Sequence, residues 1–227
     1  MDAKEVAARA ALAYVKDGMK LGLGTGSTAV HFLRLLGERI KAEGLQVVGV
    51  PTSERSRALA IEGGIPLCEL ADVEALDLGV DGADETDPDL NIIKGGGGAL
   101  VREKLVASAY RQFIVVCDSS KLKTQLGAYP VPVAIVPFGW QTTQRRLETL
   151  GSQAILRTTG SGAPYLTDDG LYILDIHFGQ LPNAPETARA MKAMVGVVEV
   201  GLFIGMATKV IAGYEDGRVE EFDREIA

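Results

Sequence analysis

Cysteine and histidine are nearly absent from this chain of 227 residues, which has two of each. Cys68 and Cys117 form no C-x-x-C pair, and both sit in apolar, strand-like contexts. That pattern predicts two buried thiols in a reducing compartment, not a disulfide framework or a thiolate metal site. His31 and His177 stand alone, so no histidine-rich metal centre is expected. No apolar run reaches the ~20 residues of a membrane-spanning helix. The opening Met1-Asp2-Ala3-Lys4-Glu5 is too charged for a secretion signal. The expectation is therefore a cytoplasmic protein with no membrane partner. Positive charge is also in deficit, 23 Lys and Arg against 30 Asp and Glu, for a net charge of −7. This argues against nucleic acid as a partner, and any anionic ligand needs a local cluster of cations.

Two nucleotide signatures are missing as well. No G-x-x-x-x-G-K-[ST] occurs, which excludes a P-loop. The glycine turn from Gly22 to Gly26 places Ser27 where a dinucleotide fingerprint needs its third glycine. The next strand ends Val50-Pro51-Thr52-Ser53, without the carboxylate that would hold a ribose.

What is present is an ordinary globular composition, 47% hydrophobic and 23% charged, long enough for one or two domains. Short, continuous apolar runs recur at 20–23, 46–50, 65–69, 75–80 and 113–117. Helix-period segments, at 3–16, 28–43, 53–62 and 99–111, separate several of them, and residues 90–93 read as extended. This is the pattern of a parallel sheet covered on both faces. Ser27 or Thr28 reads as the N-cap of the second helix. From about Gly127 the order becomes strand 129–137, helix 141–150, strand 154–157, hairpin 165–168/171–176 around Asp169-Gly170, helix 185–194 and strand 197–204. That is a ferredoxin-like β-α-β-β-α-β unit, with its proline-punctuated first strand suited to an edge. A terminal hairpin, 208–214 and 218–222, can return to the first sheet. The predicted fold is α/β: a Rossmann-like, mostly parallel sheet over 1–126 with 205–227, plus a smaller ferredoxin-like α+β domain over 127–204.

Four loops follow four of these strands and carry the chemistry. Lys94-Gly95-Gly96-Gly97-Gly98 cannot serve packing, because glycine has no side chain to pack. It suits a backbone that approaches a ligand closely and aims N–H groups at an anion. Glu103 follows it, as a base or as a complement to the helix dipole. Thr25-Gly26-Ser27-Thr28 puts hydroxyls at a helix start, a cradle for a phosphate or a plain turn. Asp81-Gly82-Ala83-Asp84 ends a strand, and its two carboxylates can bind sugar hydroxyls, hold a metal or shape the turn. Lys121, in Cys117-Asp118-Ser119-Ser120-Lys121, offers a second cation. The set provides a proton-transfer carboxylate and cations, but no cysteine nucleophile, histidine base or cofactor motif. It fits proton transfer beside a carbonyl on a phosphorylated polyol.

At these residues the chain resembles the type A ribose-5-phosphate isomerase family. Gly24-Thr25-Gly26-Ser27-Thr28-Ala29, Asp81-Gly82-Ala83-Asp84-Glu85, Ile93 to Leu100 with Arg102-Glu103-Lys104, Cys117 to Lys121, Pro130 to Val133 and Gly196 to Phe203 follow the family in order and spacing. They extend over nearly the whole chain. The resemblance implies interconversion of ribose 5-phosphate and ribulose 5-phosphate in the pentose phosphate pathway, with no metal or organic cofactor. It implies a homodimer or homotetramer. It places substrate binding on Thr25, Gly26, Ser27, Thr28, Asp81, Gly82, Ala83, Asp84, Lys94, Gly95, Gly96, Gly97 and Lys121, with Glu103 as base; the expected mechanism has Asp81 or Asp84 assisting ring opening and Lys94 stabilising the enediolate. A sugar-phosphate sensor without turnover and a carboxylate-dependent acyl-CoA transferase are the alternatives. Conversion of ribose 5-phosphate alone to a ketose separates the three.

Overall fold

A computed structural model describes residues 1–181 and 183–224. The expected reach of the first domain over 225–227 lies outside the described residues. In chain order the first elements are α1 (Ala3–Leu12), β1 (Lys20–Leu23), α2 (Ser27–Glu43), β2 (Val48–Pro51), α3 (Glu54–Gly63), β3 (Leu78–Gly82), β4 (Glu85–Thr86), β5 (Ile92–Ile93), α4 (Leu100–Ala107) and β6 (Phe113–Asp118). There follow β7 (Val131–Ile135), α5 (Trp140–Glu148), β8 (Gln153–Leu156), β9 (Tyr172–His177), α6 (Ala184–Lys192), β10 (Val197–Val200), β11 (Leu202–Phe203), β12 (Lys209–Gly213) and β13 (Val219–Asp223).

The apolar runs form a six-stranded sheet ordered β13-β12-β6-β3-β1-β2. All its pairings are parallel except the terminal hairpin β12–β13. Burial explains the composition, since every residue of β3 and β12 is buried. Strands covered on both faces have no polar side to alternate with. The chain leaves β1 for β2 on one side and β3 on the other. The crevice above the carboxyl ends of β1 and β3 is therefore the topological switch point, where such sheets place ligands. The second sheet, β10-β7-β9-β8, is antiparallel, in the order and connectivity of a ferredoxin-like unit. A small third sheet, β11-β5-β4, joins the two. Among the described residues, no helix is long and apolar enough to cross a membrane.

Several elements depart from the sequence reading, each for a visible reason. α1 stops at Leu12, not at residue 16, because Arg39 Nη1 donates to the carbonyls of Leu12 and Val15 and closes the helix end. Segment 65–69 makes one bridge to β2, from Gly49 to Leu67, and is no full strand, since Pro66 has no N–H to extend a ladder. Leu90 lies at φ +54°, so only Ile92–Ile93 of the expected extended stretch is a strand.

α4 ends at Ala107, because Tyr110 and Arg111 leave it to pair with Leu76. The Tyr110 ring then lies on Gly22 and Gly79, where an added Cβ would meet it at 2.0 Å. This fit docks the end of α4, and with it Glu103, beside β1 and β3.

β7 is internal, not an edge. Pro132 is tolerated because its nitrogen faces the side where β10 has ended, and its carbonyl accepts from the Gly201 N–H there. Tyr165–Asp168 is not a strand; β9 takes β8 as its antiparallel partner, and 157–171 forms an excursion between them. The expected strand 197–204 splits at Gly201, with β10 joining the second sheet and β11 the third.

Candidate active site

The turn after β1, the loops after β3 and β6 and the tetraglycine loop meet in one narrow cleft of about 100 Å³. Thr25, Gly26, Ser27, Thr28, Gly82, Ala83, Asp84, Lys94, Gly95, Gly96, Gly97, Glu103 and Lys121 all line it. The sequence had separated these groups by up to 96 positions. Of the candidate residues, only Asp81 is outside the lining.

The five residues 81–85 contain three carboxylates with three different tasks. Asp81 is buried; its Oδ1 accepts from the N–H groups of Thr25 (3.0 Å) and Gly82 (2.7 Å), and its Oδ2 lies 3.0 Å from Lys94 Nζ. It thus locks the β1 turn to β3 and holds the lysine. Asp84 is half-buried at the cleft wall and accepts from the Gly96 N–H at 2.8 Å. Glu85 is buried and accepts from the N–H groups of Gly127 and Tyr129, tying the first sheet to the chain entering the second.

Lys94 is buried rather than solvated. Its Nζ donates to the Gly82 carbonyl at 2.7 Å and lies 3.5 Å from Glu103 Oε1. Burial pushes its pKa down, but the surrounding carboxylates outweigh that and hold it above the usual lysine value, so it is a fixed cation. Glu103 stands in the first turn of α4 and is also buried. Among the described residues its Oε2 has no hydrogen-bond partner. Desolvation dominates its titration and raises it to about 8, against the pull of Lys94 and with the push of Asp81 and Asp84. A buried carboxylate oxygen left bare is costly. A base poised near neutral pH is what proton abstraction needs.

The turn after β1, the candidate phosphate cradle, is built differently from the expectation. The N-cap of α2 is Gly26, at φ +109°, and not Ser27 or Thr28. Such a backbone is open to glycine and strained for any other residue. Among the described residues no side chain caps the helix, so its first N–H groups face the cleft uncapped, and the Ser27 hydroxyl, which accepts from Lys4, keeps its own proton to donate. The Thr25 hydroxyl points away, within 2.8 Å of Thr52, Ser53 and Ser56, so Thr25 offers the cleft its backbone and methyl group. One residue escaped the sequence reading. Lys4, from α1, lines the cleft and donates to Ser27 Oγ at 3.0 Å. It belongs to no motif, and only the packing of α1 against α2 brings it there. With Lys121 it supplies the local positive charge that an anionic ligand needs on a protein of net charge −7.

Both cysteines are free thiols away from this cleft, and burial pushes Cys117 up to about 12. Among the described residues, no three His, Cys, Asp or Glu side chains gather as a metal site.

Residues 48–217 match the family model described as ribose 5-phosphate isomerase A (phosphoriboisomerase A). The chain is 51% identical over 225 residues to a ribose-5-phosphate isomerase A from Nitrobacter hamburgensis, covering 96% of this chain and 97% of that one. It superposes on the solved ribose 5-phosphate isomerase A of Methanocaldococcus jannaschii with a TM-score of 0.93, at 39% identity and 98% coverage of both chains. A second solved structure, a D-ribose-5-phosphate isomerase in complex with phospho-erythronic acid, superposes with a TM-score of 0.94, also at 39% identity and 98% coverage of both chains.

Proposed function

This chain belongs to the ribose 5-phosphate isomerase A family and isomerises ribose 5-phosphate; we propose that Glu103 carries one proton between C2 and C1 to give ribulose 5-phosphate. The observation that carries this reading is the bare, buried Oε2 of Glu103, in a carboxylate that lines the cleft and is held near neutral pKa. A sensor that only bound sugar phosphate would bear that cost for nothing.

The sugar first opens to its aldehyde. Asp84, at the cleft wall, is the carboxylate placed to assist that proton movement, since both oxygens of Asp81 are already committed. Glu103 then removes the C2 proton. Negative charge builds on the carbonyl oxygen of the resulting enediolate, and Lys94 and the glycine-loop N–H groups are placed to stabilise it. One carboxylate serves both carbons, because they are adjacent, and exclusion of water keeps the proton from exchanging freely. Phospho-erythronic acid, the compound held by the structural relative, combines a planar carboxylate, resembling the oxygens of an enediolate, with a phosphate. It supports a site that reads both features.

We place the phosphate on the first N–H groups of α2, with Ser27, Thr28, Lys4 and Lys121 around it. Replacing Ser27 and Thr28 by Ala, or Lys4 or Lys121 by Ala, is expected to raise KM for ribose 5-phosphate. Turnover of unphosphorylated ribose should change far less. Equal damage to both substrates in steady-state assays would move the phosphate elsewhere.

No metal takes part in this scheme. The oxygens of Asp81 and the Oδ2 of Asp84 already accept from N–H groups or face Lys94. Activity is expected to survive exhaustive dialysis against EDTA. A loss reversed by a divalent cation would assign the aspartates to a metal after all.

We also infer a working unit of two domains, 1–126 with 205–227 and 127–204, assembled as a homodimer or homotetramer in the cytoplasm. The separate antiparallel sheet supports the division, and the almost fully exposed Phe138 with exposed Val195 supports assembly.

A further inference from the structure

We propose that Arg157, on the excursion between β8 and β9 of the smaller domain, is a positioning residue that aims the Gly97 N–H at the developing oxyanion. The inference rests on the isomerase reading above. Arg157 is largely buried, and its Nε and Nη2 donate to the two oxygens of Asp175 on β9. Its Nη1 donates to the carbonyls of Gly95 at 2.9 Å and Gly96 at 3.0 Å. The guanidinium is thus fixed by one carboxylate and spends its remaining edge on two consecutive peptides of the tetraglycine loop.

Peptide planarity converts those two bonds into a direction. In a trans peptide, the carbonyl of one residue and the N–H of the next point opposite ways. The Gly95 carbonyl faces Arg157, and the Gly96 N–H accordingly points the other way, to Asp84 Oδ2 at 2.8 Å. The Gly96 carbonyl also faces Arg157, so the Gly97 N–H points away from it, towards the Asp84 side and the cleft that Gly97 lines. Among the described residues, the Gly97 N–H donates to no protein group. A run of glycines has no side chains to hold this orientation. The Gly98 N–H also reaches the Gly95 carbonyl at 3.0 Å, but among the described residues only Arg157 holds the Gly96 carbonyl, and the cation also polarises that peptide so that the Gly97 N–H becomes a stronger donor. Lysine cannot replace this fork, because a single ammonium cannot keep both oxygens of Asp175 and two carbonyls at once. On this reading the smaller domain contributes to the chemistry, although it places no residue on the substrate.

The test measures kcat and KM for ribose 5-phosphate in Arg157→Lys, Arg157→Ala and Asp175→Asn. It also measures inhibition by phospho-erythronic acid and by inorganic phosphate. Misdirecting one oxyanion donor is expected to lower kcat by about 10–10²-fold. KM and inhibition by inorganic phosphate should stay within about threefold, because the phosphate is held elsewhere. Affinity for phospho-erythronic acid should fall with kcat, and millimolar guanidinium should restore part of the turnover of Arg157→Ala. Asp175→Asn keeps the cation but loosens it, and should show a smaller fall of the same kind. It carries the test if the Arg157 variants fail to fold by circular dichroism. An unchanged kcat in folded variants overturns the proposal, as does an equal loss of affinity for both inhibitors. Absence of ketose from the unmodified enzyme would instead sink the isomerase reading itself.

Discussion

Glu103→Gln is expected to lower kcat for ribose 5-phosphate by about 10²–10⁴-fold, the range for a positioned acid–base group, while phospho-erythronic acid still binds. The amide keeps the shape of the side chain but cannot accept the C2 proton. The pH profile gives a second reading. The base must be ionised to act, and burial raises it to about 8. The unmodified enzyme should therefore gain kcat/KM with pH along a limb well above the ordinary glutamate value of 4.5. The residual activity of Glu103→Gln should lack that limb. Stability moves in the opposite sense. A carboxyl whose folded-state pKa is raised contributes stability below its unfolded value, and that contribution is lost as pH rises through the folded one. At pH 9 the native protein carries an ionised, half-bare carboxylate in its interior. The Tm of Glu103→Gln relative to the unmodified protein should thus be higher at pH 9 than at pH 5. Thermal melts at the two pH values decide this point. Near-normal turnover in the purified variant would remove Glu103 from the mechanism.

Much of this site was legible in the sequence, because its parts sit where backbone demands are unusual. A tetraglycine has no packing role, and Asp81-Gly82-Ala83-Asp84 directly follows an apolar strand. The parallel sheet was legible from strands without alternation, such as β3 and β6. What the chain could not reveal were the choices made by tertiary contacts. The two aspartates look equivalent in sequence, but only folding shows that Asp81 is spent on Lys94 and the β1 turn while Asp84 faces the cleft. Thr25 looks like a phosphate ligand until Thr52, Ser53 and Ser56 close around its hydroxyl. Lys4 looks like any charged residue of an amphipathic helix, and Arg157 like any strand-end arginine. Both gain meaning only from elements packed beside them. Pro132 misled for a related reason: proline forbids one hydrogen bond, not an internal position, and β10 ends where that bond would have been.

Lys94→Met is expected to have the largest effect on stability. Lys94 is buried with Asp81 Oδ2 at 3.0 Å and Glu103 Oε1 at 3.5 Å. The cluster therefore holds two carboxyl groups around one cation. Glu103, held at about 8, is mostly protonated at pH 7, so removing the cation leaves the Asp81 carboxylate buried without its counter-ion, a loss typically of about 3–5 kcal/mol. At roughly 2–4 °C per kcal/mol for a chain of this size, the Tm at pH 7 should fall by about 10 °C, and isomerase activity should vanish. The loss should shrink as pH drops, because Asp81 and Glu103 are both already raised by burial and would rise further without the lysine. Their protonation then removes the charges that Lys94 balanced. The double variant Lys94→Met with Glu103→Gln should recover more of the lost Tm at pH 9 than at pH 7, because Glu103 begins to ionise beside Asp81 only above its raised pKa, and it should not recover activity. A Lys94→Met protein that melted within a degree or two of the unmodified one at pH 7 would contradict this electrostatic account. It would mean that water or a shift of the loop after β3 screens the Asp81 carboxylate, and the raised pKa of Glu103 would then need a different origin.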